Sequence, residues 1–263
     1  IQFAVLFFKT YLSKKIKPKT FYQLLLLQPD DSEGVVSYVQ SKMLEKYNDK
    51  ERMLIKLQQS LQKNNPMALF RQAELLYAGQ DLTELDRANP IHKKIIKTLV
   101  SATSQGFPKA FYFLASIIKK QKTTDELAQA ENRQNAINYF MQGIDAGDPG
   151  SMYGLAELYF ELFPNDNKKI AEATLLLNFA ASKWHHINSQ LLLAKFFMQN
   201  LDKDIDIQVE GNNAALQLLN DVIAAVYCPE AIELERELSA RIETLNNFIA
   251  GQNMSSTNDD IAP

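Results

Sequence analysis

Cysteine, histidine and glycine are all scarce in this chain, and their scarcity limits what the protein can be. Cys228 is the one cysteine among 263 residues, so neither an intrachain disulfide nor a cysteine-based zinc site can form. Nine glycines and nine prolines, against 46% hydrophobic residues, describe a folded, helix-rich chain rather than a disordered one. Of the three histidines, His92 stands apart, and His185 and His186 are adjacent. Adjacent residues diverge by about 100° on a helix, so this pair does not chelate one metal.

Charge and motifs exclude further classes of function. The formal net charge is −3, from 28 basic and 31 acidic side chains, which does not favour nucleic acid as a partner. The chain has no nucleophile-elbow serine and no glycine-rich phosphate loop. Asp202, Asp204 and Asp206 alternate as in an EF-hand loop, but Ile207 and Asn213 occupy the positions that need glycine and glutamate. We expect no enzyme active site, no cofactor and no metal site.

An alanine recurs through the chain at intervals of 42, 41 and 38 residues, at Ala73, Ala115, Ala156 and Ala194. A proline precedes each of the first three alanines by seven residues. Self-similarity with a period of about 20–50 residues is typical of stacked helical repeats. A stack of helical pairs has an extended binding surface and no ready-made catalytic crevice. The spacing therefore predicts a binding scaffold.

Each repeat is expected to contain a leading helix, which carries the recurrent alanine, and a trailing helix. The trailing helices show small and apolar residues at the i, i+3, i+4, i+7 spacing of one buried helix face. The three stripes are Ile95, Thr98, Leu99, Ala102 and Gly106; Ala136, Tyr139, Phe140, Gly143 and Gly147; and Ala173, Leu176, Leu177, Ala180 and Trp184. Small residues allow two helix backbones to approach closely, so we expect these positions at helix contacts.

These repeats resemble the Sel-one-like repeat family, relatives of the tetratricopeptide repeat. The residues that match the family pattern are Ser151, Leu155, Ala156 and Tyr159 of the third repeat and Ala136, Tyr139, Phe140 and Gly147 of the second. Three departures are an alanine in place of the usual leading-helix glycine, Ile118 in place of tyrosine, and Trp184 in place of a closing glycine. The resemblance covers about residues 65–235. It implies an all-α, right-handed superhelical solenoid of stacked helix-turn-helix repeats.

The predicted organisation has three parts. Residues 1–31 form an apolar and basic capping segment, residues 32–250 the repeat array, and residues 251–263 a disordered tail. Within the array the best repeats are 65–106, 107–147, 148–184 and 185–226, followed by a C-terminal cap at 229–250. The chain begins at Ile1 rather than methionine, which indicates a processed or truncated product. The apolar run Ile1–Phe8 is far shorter than the roughly 20 residues that cross a bilayer, so membrane contact is not expected except through this segment.

The resemblance implies a non-enzymatic scaffold or adaptor that binds a partner protein on the concave side, which the leading helices line. The candidate partner-binding residues are Arg71, Glu74, Tyr112, Phe113, Tyr153, Glu157 and Lys195. They lie off the packing stripe and include the aromatic and arginine side chains that dominate binding hot spots. One alternative is an immunity protein that neutralises a secreted antibacterial effector of the lipase type. Another is an envelope or exopolysaccharide-export scaffold. The resemblance implies a bacterial protein, in either the periplasm or the cytoplasm.

Overall fold

The computed structural model describes residues 25–29, 31–78, 80, 89–121, 123–199 and 205–259, with the backbone alone for 205, 206 and 251–259. Most of the predicted capping segment, Gly79, Asp202, Asp204 and residues 260–263 lie outside this part. The described residues contain no strand. Their helices are α1 Val35–Lys46, α2 Lys50–Gln62, α3 Pro66–Tyr77, α4 Pro90–Thr103, α5 Pro108–Lys119, α6 Glu126–Asp145, α7 Pro149–Leu162, α8 Asn167–Trp184, α9 Ile187–Gln199, α10 Ile205–Ala225 and α11 Pro229–Asp259.

The chain divides into two compact units, residues 1–147 (unit 1) and residues 148–263 (unit 2). In unit 1, α1 packs on α2, α3 on α4 and α5 on α6, and α4 also packs on α5. In unit 2, α7 packs on α8 and α9 on α10, while α8 contacts α9 and α10 contacts α11. Each unit is therefore built from helix-turn-helix pairs in chain order, which confirms the predicted all-α repeat architecture.

The prolines that precede the recurrent alanines each begin a leading helix. Pro66, Pro108 and Pro149 occupy the first positions of α3, α5 and α7. A proline fits there because its missing N–H would have no partner in the helix and its φ angle is already helical. Asn65 caps α3 by accepting hydrogen bonds from the backbone N–H groups of Met67 and Ala68. The recurring prolines thus mark the starts of the leading helices α3, α5 and α7.

The recurrent alanines are core residues. Ala73, Ala115, Ala156 and Ala194 are all 0% exposed, as are the small residues Ala68, Ala110 and Ser151, which lie five positions before the first three of them. In the trailing helices, the buried members of the predicted stripes are Ile95, Thr98, Leu99, Ala102, Ala136, Phe140, Gly143, Ala173, Leu177 and Ala180. The predicted packing register is confirmed at these positions, where the side chains let adjacent helices approach closely. It is wrong at the ends of two stripes, because Gly106 and Trp184 are exposed where their helices end, and Tyr139, Gly147 and Leu176 are only half-buried.

Three helices are longer than the sequence pattern indicated. The apolar spacing predicts that the trailing helices of the second and fourth repeats begin at Asn132 and Asn213, whereas α6 begins at Glu126 and α10 at Ile205. The Asp125 side chain accepts a hydrogen bond from the Leu127 backbone N–H, which sets the start of α6 in a segment without apolar periodicity. α11 continues to Asp259, beyond residue 251, where the tail was predicted to begin.

The closing residue of the third repeat is His185 and not Trp184. Gly106 and Gly147 follow their trailing helices in the left-handed conformation, with φ angles of 71° and 80°. At the end of α8, His185 takes that conformation with φ of 48°, while Trp184 is the last helical residue. A left-handed residue ends a helix by satisfying its last carbonyl groups, and glycine adopts that conformation with the least strain.

Candidate partner-binding surface of the leading helices

In unit 1 the candidate Arg71 lies between two carboxylates. Its guanidinium group pairs with Glu45 of α1 and with Glu74 of α3, with 3.0 Å between Arg71 Nη1 and Glu74 Oε2. Glu45 also pairs with Lys42. The Arg71 side chain is 21% exposed, and its Nε atom is buried with no hydrogen-bond partner. Arg71 therefore links two leading helices while part of the group stays accessible.

The network changes the titration of its members. Burial raises the pKa of Glu45, but the hydrogen bond from Lys42 and the charge of Arg71 outweigh it, so the pKa lies below its ordinary value. Burial, and after it the charge of Glu74, raises the pKa of Tyr38. Glu45 and Tyr38 were not among the predicted site residues. They belong to α1, whose pair keeps too little of the repeat pattern to place them opposite Arg71.

The aromatic candidates of α5 pack against other helices of unit 1. The Phe113 ring lies 5.0 Å from the Tyr77 ring and 5.8 Å from the Phe70 ring, so it joins α5 to α3. The Tyr112 ring lies 6.1 Å from the Phe140 ring of α6. Both side chains are half-buried. Each supports the packing of the unit, and partner contact at these residues stays a prediction.

In unit 2, Tyr153 and Glu157 form one side-chain pair on α7. The Tyr153 hydroxyl donates to Glu157 Oε1 over 2.8 Å, and the Tyr153 ring lies 5.9 Å from the His186 ring. His186 Nδ1 is 2.8 Å from the hydroxyl of Ser189 in the first turn of α9. A connected cluster therefore joins α7 to the start of α9, and its members are Tyr153, Glu157, His186 and Ser189.

A second pair lies beside this cluster. Asp148 accepts two hydrogen bonds of 2.7 Å from Ser151, one from the backbone N–H and one from the hydroxyl. Burial raises the pKa of Asp148, although the bonds from Ser151 oppose the shift. Burial lowers the pKa of His186, and the charge of Asp148 opposes that shift. The Ser151 hydroxyl bonds to Asp148 rather than to the imidazole, and Asp148 is the N-cap of α7.

Asp148 and His186 were not predicted site residues. An aspartate directly before a proline that can begin a helix is a capping signal, and it marks Asp148 in the sequence. Nothing in the pattern around His186 indicates that it approaches Tyr153, because that contact joins separate elements.

Lys195, the last candidate, lies on α9. Its Nζ atom is 2.5 Å from Glu230 Oε1 in the first turn of α11, and 37% of its side chain is exposed. An ion pair at this exposure is worth little to stability, about 0–1 kcal/mol. The pair orients the lysine toward α11.

The described residues contain no group of three or more histidine, cysteine, aspartate or glutamate side chains that could hold a metal ion. Over the same part of the chain, no helix is both long and apolar enough to cross a membrane.

No protein-family model matches the chain, and no curated protein matches it. Its structure is similar to the crystal structure of a Sel1 repeat protein from Oxalobacter formigenes, with a TM-score of 0.54 and 14% sequence identity. The match covers 92% of this chain and 99% of that one. The molecule is thus a helical-repeat protein of the solenoid class. Within that class, its fold is that of a Sel1 repeat protein, as the sequence resemblance implied.

Two further solved structures resemble the chain at lower similarity. One is an immunity protein from Pseudomonas aeruginosa, with a TM-score of 0.46 and 13% identity over 83% of this chain and 84% of that one. The other is a Sel1 repeat protein from Klebsiella pneumoniae subsp. pneumoniae, with a TM-score of 0.41 and 14% identity over 82% of this chain and 94% of that one.

Proposed function

We propose that the protein is a non-enzymatic scaffold that binds a partner protein through partly exposed side chains of its leading helices. The observation that carries this proposal is the Tyr153–Glu157 pair, a half-buried aromatic side chain whose hydroxyl is already held in place. Tyrosine contributes a large contact area with few rotatable bonds, and a side chain fixed before binding loses little entropy. In unit 1, Arg71 is likewise held in place before binding, by its ion pairs with Glu45 and Glu74.

The distribution of the candidates favours a protein over a small molecule. In unit 1 they lie on α3 and α5, and in unit 2 on α7 and α9. Each set therefore spans two successive leading helices. A folded protein or a peptide segment can contact both helices of a set at once.

The experiment is affinity capture with the tagged full chain from the organism of origin, followed by mass spectrometry and binding measurements with the purified partner. Tyr153→Ala in unit 2 and Arg71→Ala in unit 1 are the test variants, and Lys168→Ala on the exposed face of α8 is the control. We expect each test variant to bind the partner at least tenfold more weakly, a loss of about 1.4 kcal/mol in binding free energy. The helical content should be unchanged. Full affinity in both variants, with loss on substitution of Asp166 in the loop before α8, would place binding elsewhere.

The partner's identity separates the alternatives. If the captured protein is a secreted lipase whose activity the chain inhibits, the scaffold acts as an immunity protein. If it is a component of polysaccharide export and is not inhibited, the chain acts as an assembly scaffold. Both results require the leading-helix variants to bind less tightly.

A further inference from the structure

Positive and negative charges are segregated between the two units. Residues 1–147 carry 21 lysines and arginines against 14 acidic residues, a formal charge of +7. Residues 148–263 carry 7 against 17, a formal charge of −10. The net charge of −3 for the whole chain conceals this difference. A charge asymmetry of this size indicates that unit 1 has an anionic partner.

Five of these basic residues lie at positions 9–19, and among the described helices of unit 1 the largest excess of basic over acidic residues is on the trailing helix α4, where it is three. α4 exposes Lys93, Lys94 and Lys97 and contains no acidic residue. α2 exposes Lys50 and Arg52, and its one acidic residue is Glu51. Because trailing helices of stacked pairs occupy one layer of the stack, we call the exposed faces of α2 and α4 the basic layer.

Aliphatic side chains are exposed among these basic residues. Leu54 and Ile55 of α2 are 55% and 52% exposed, and Ile91 and Val100 of α4 are 39% and 44% exposed. Leu54 and Ile55 also line a groove of about 690 Å³ between α2 and α3 whose other lining residues are leucines and glutamines. The basic layer therefore combines lysines with aliphatic surface.

This composition identifies the anionic partner. Protein interfaces are depleted in lysine and enriched in arginine and aromatic residues, and single-stranded nucleic acids stack on aromatic side chains. Lysines interspersed with exposed aliphatic side chains are typical of surfaces that lie in the headgroup region of a bilayer. The sequence of residues 1–29, the first part of unit 1, has the same composition, with five lysines, no acidic residue and the apolar run of residues 1–8. We propose that the basic layer of unit 1 lies on a membrane surface that carries anionic headgroups.

The test is co-sedimentation of the full chain with vesicles, in the absence of any protein partner, so the result is independent of the proposed scaffold function. One set of vesicles is phosphatidylcholine alone, and the other contains about a third phosphatidylglycerol. Binding is expected for the anionic vesicles only, and about 0.5 M salt should release it because salt screens exposed charges.

A matched pair of variants locates the contact. Lys93→Glu with Lys97→Glu reverses two exposed charges of the basic layer, and Lys168→Glu with Lys183→Glu reverses two exposed charges of unit 2. Both variants have the same net charge. We expect the first to bind anionic vesicles at least about tenfold more weakly and the second to bind like the wild type. Circular dichroism confirms that both remain folded.

Several results would overturn the proposal. They are no binding to anionic vesicles, equal binding to phosphatidylcholine alone, an equal loss in both variants, and displacement of the vesicles by duplex DNA at low concentration. The last result would assign the basic layer to nucleic acid.

Discussion

The hydroxyl of Tyr153 donates a 2.8 Å hydrogen bond to Glu157, one turn further along α7. Residues four apart lie on the same face of a helix, so the bond holds the ring along the surface of the leading helix. The ring also lies 5.9 Å from that of His186, which precedes the next leading helix, α9. Tyr153 thus occupies the junction of two leading helices with its polar group already satisfied.

This arrangement predicts that the ring, rather than the hydroxyl, contributes most to partner binding. Tyr153→Ala should reduce the free energy of partner binding by about 1–3 kcal/mol, and Tyr153→Phe should retain most of the affinity. Isothermal titration calorimetry with the purified partner measures both. If the two variants lose the same affinity, the hydroxyl and Glu157 are the recognition elements.

Overpacking the recurrent alanines should destabilise the units that contain them. Ala115→Leu and Ala156→Leu place a larger side chain at a fully buried helix contact, and we expect a loss of about 1–3 kcal/mol. Ala171→Leu makes the same change at an exposed position of α8 and should be within about 0.5 kcal/mol of the wild type. Urea unfolding provides the free energies. Equal losses at buried and exposed sites would contradict the packing register.

The buried N-cap of α7 should contribute more to the stability of the protein than the exposed N-cap of α6. Asp148→Ala removes two hydrogen bonds to Ser151 at a residue that is 5% exposed, with an expected cost of about 1–2 kcal/mol. Asp125→Ala removes one bond at an exposed site and should cost about 0.5–1 kcal/mol. Thermal melts of both variants test the order, and a larger loss for Asp125→Ala would contradict it.

Acidification should reduce the stability of unit 2 through His186. Burial lowers the pKa of His186 below its ordinary value of 6.5, against the opposing charge of Asp148. The unfolded chain then takes up the proton first, so the stability present above pH 6.5 is lost as the pH falls toward the folded-state pKa. The raised pKa of Asp148 acts in the opposite direction in a lower pH range, where proton uptake by the folded carboxyl group adds stability.

Comparing the wild type with His186→Asn isolates this contribution. Asparagine stays neutral and can still hydrogen-bond to Ser189, so the variant should lose less thermal stability than the wild type between about pH 7 and about pH 5. An unchanged pH dependence in the variant would show that other groups cause the loss.

The residues that close the trailing helices in the left-handed conformation predict that a change to glycine stabilises the protein and a change from glycine destabilises it. His185→Gly should stabilise unit 2 by about 0.5–1 kcal/mol, because glycine adopts a φ of 48° without side-chain strain. Gly106→Ala should destabilise unit 1 by a similar amount. A Cβ atom at Gly106 would meet no other atom within 4 Å, so the effect is conformational and not steric. Differential scanning calorimetry measures both, and a destabilising His185→Gly would mean that the imidazole itself holds the turn.

The packing register could be predicted from the sequence because it depends on local spacing. The alanines 42, 41 and 38 residues apart, and the prolines seven residues before three of them, place each leading helix and its buried face. The beginnings of α6 and α10 could not be placed in this way, because polar residues at a helix start carry no apolar periodicity.

The candidate site was only partly predictable. Arg71, Tyr153 and Lys195 could be chosen because they lie off the buried stripe of a leading helix, a property of helical periodicity alone. Their partners come from the rotation of one helix against another, which periodicity does not specify: Glu45 reaches Arg71 from α1, His186 reaches Tyr153 from the start of α9, and Glu230 reaches Lys195 from α11. The sequence by itself determined that the recurrent alanines and most of the trailing-helix stripes are buried, since burial at these positions follows the repeat. Only the tertiary structure decided which polar groups meet, since those contacts join residues far apart in the chain.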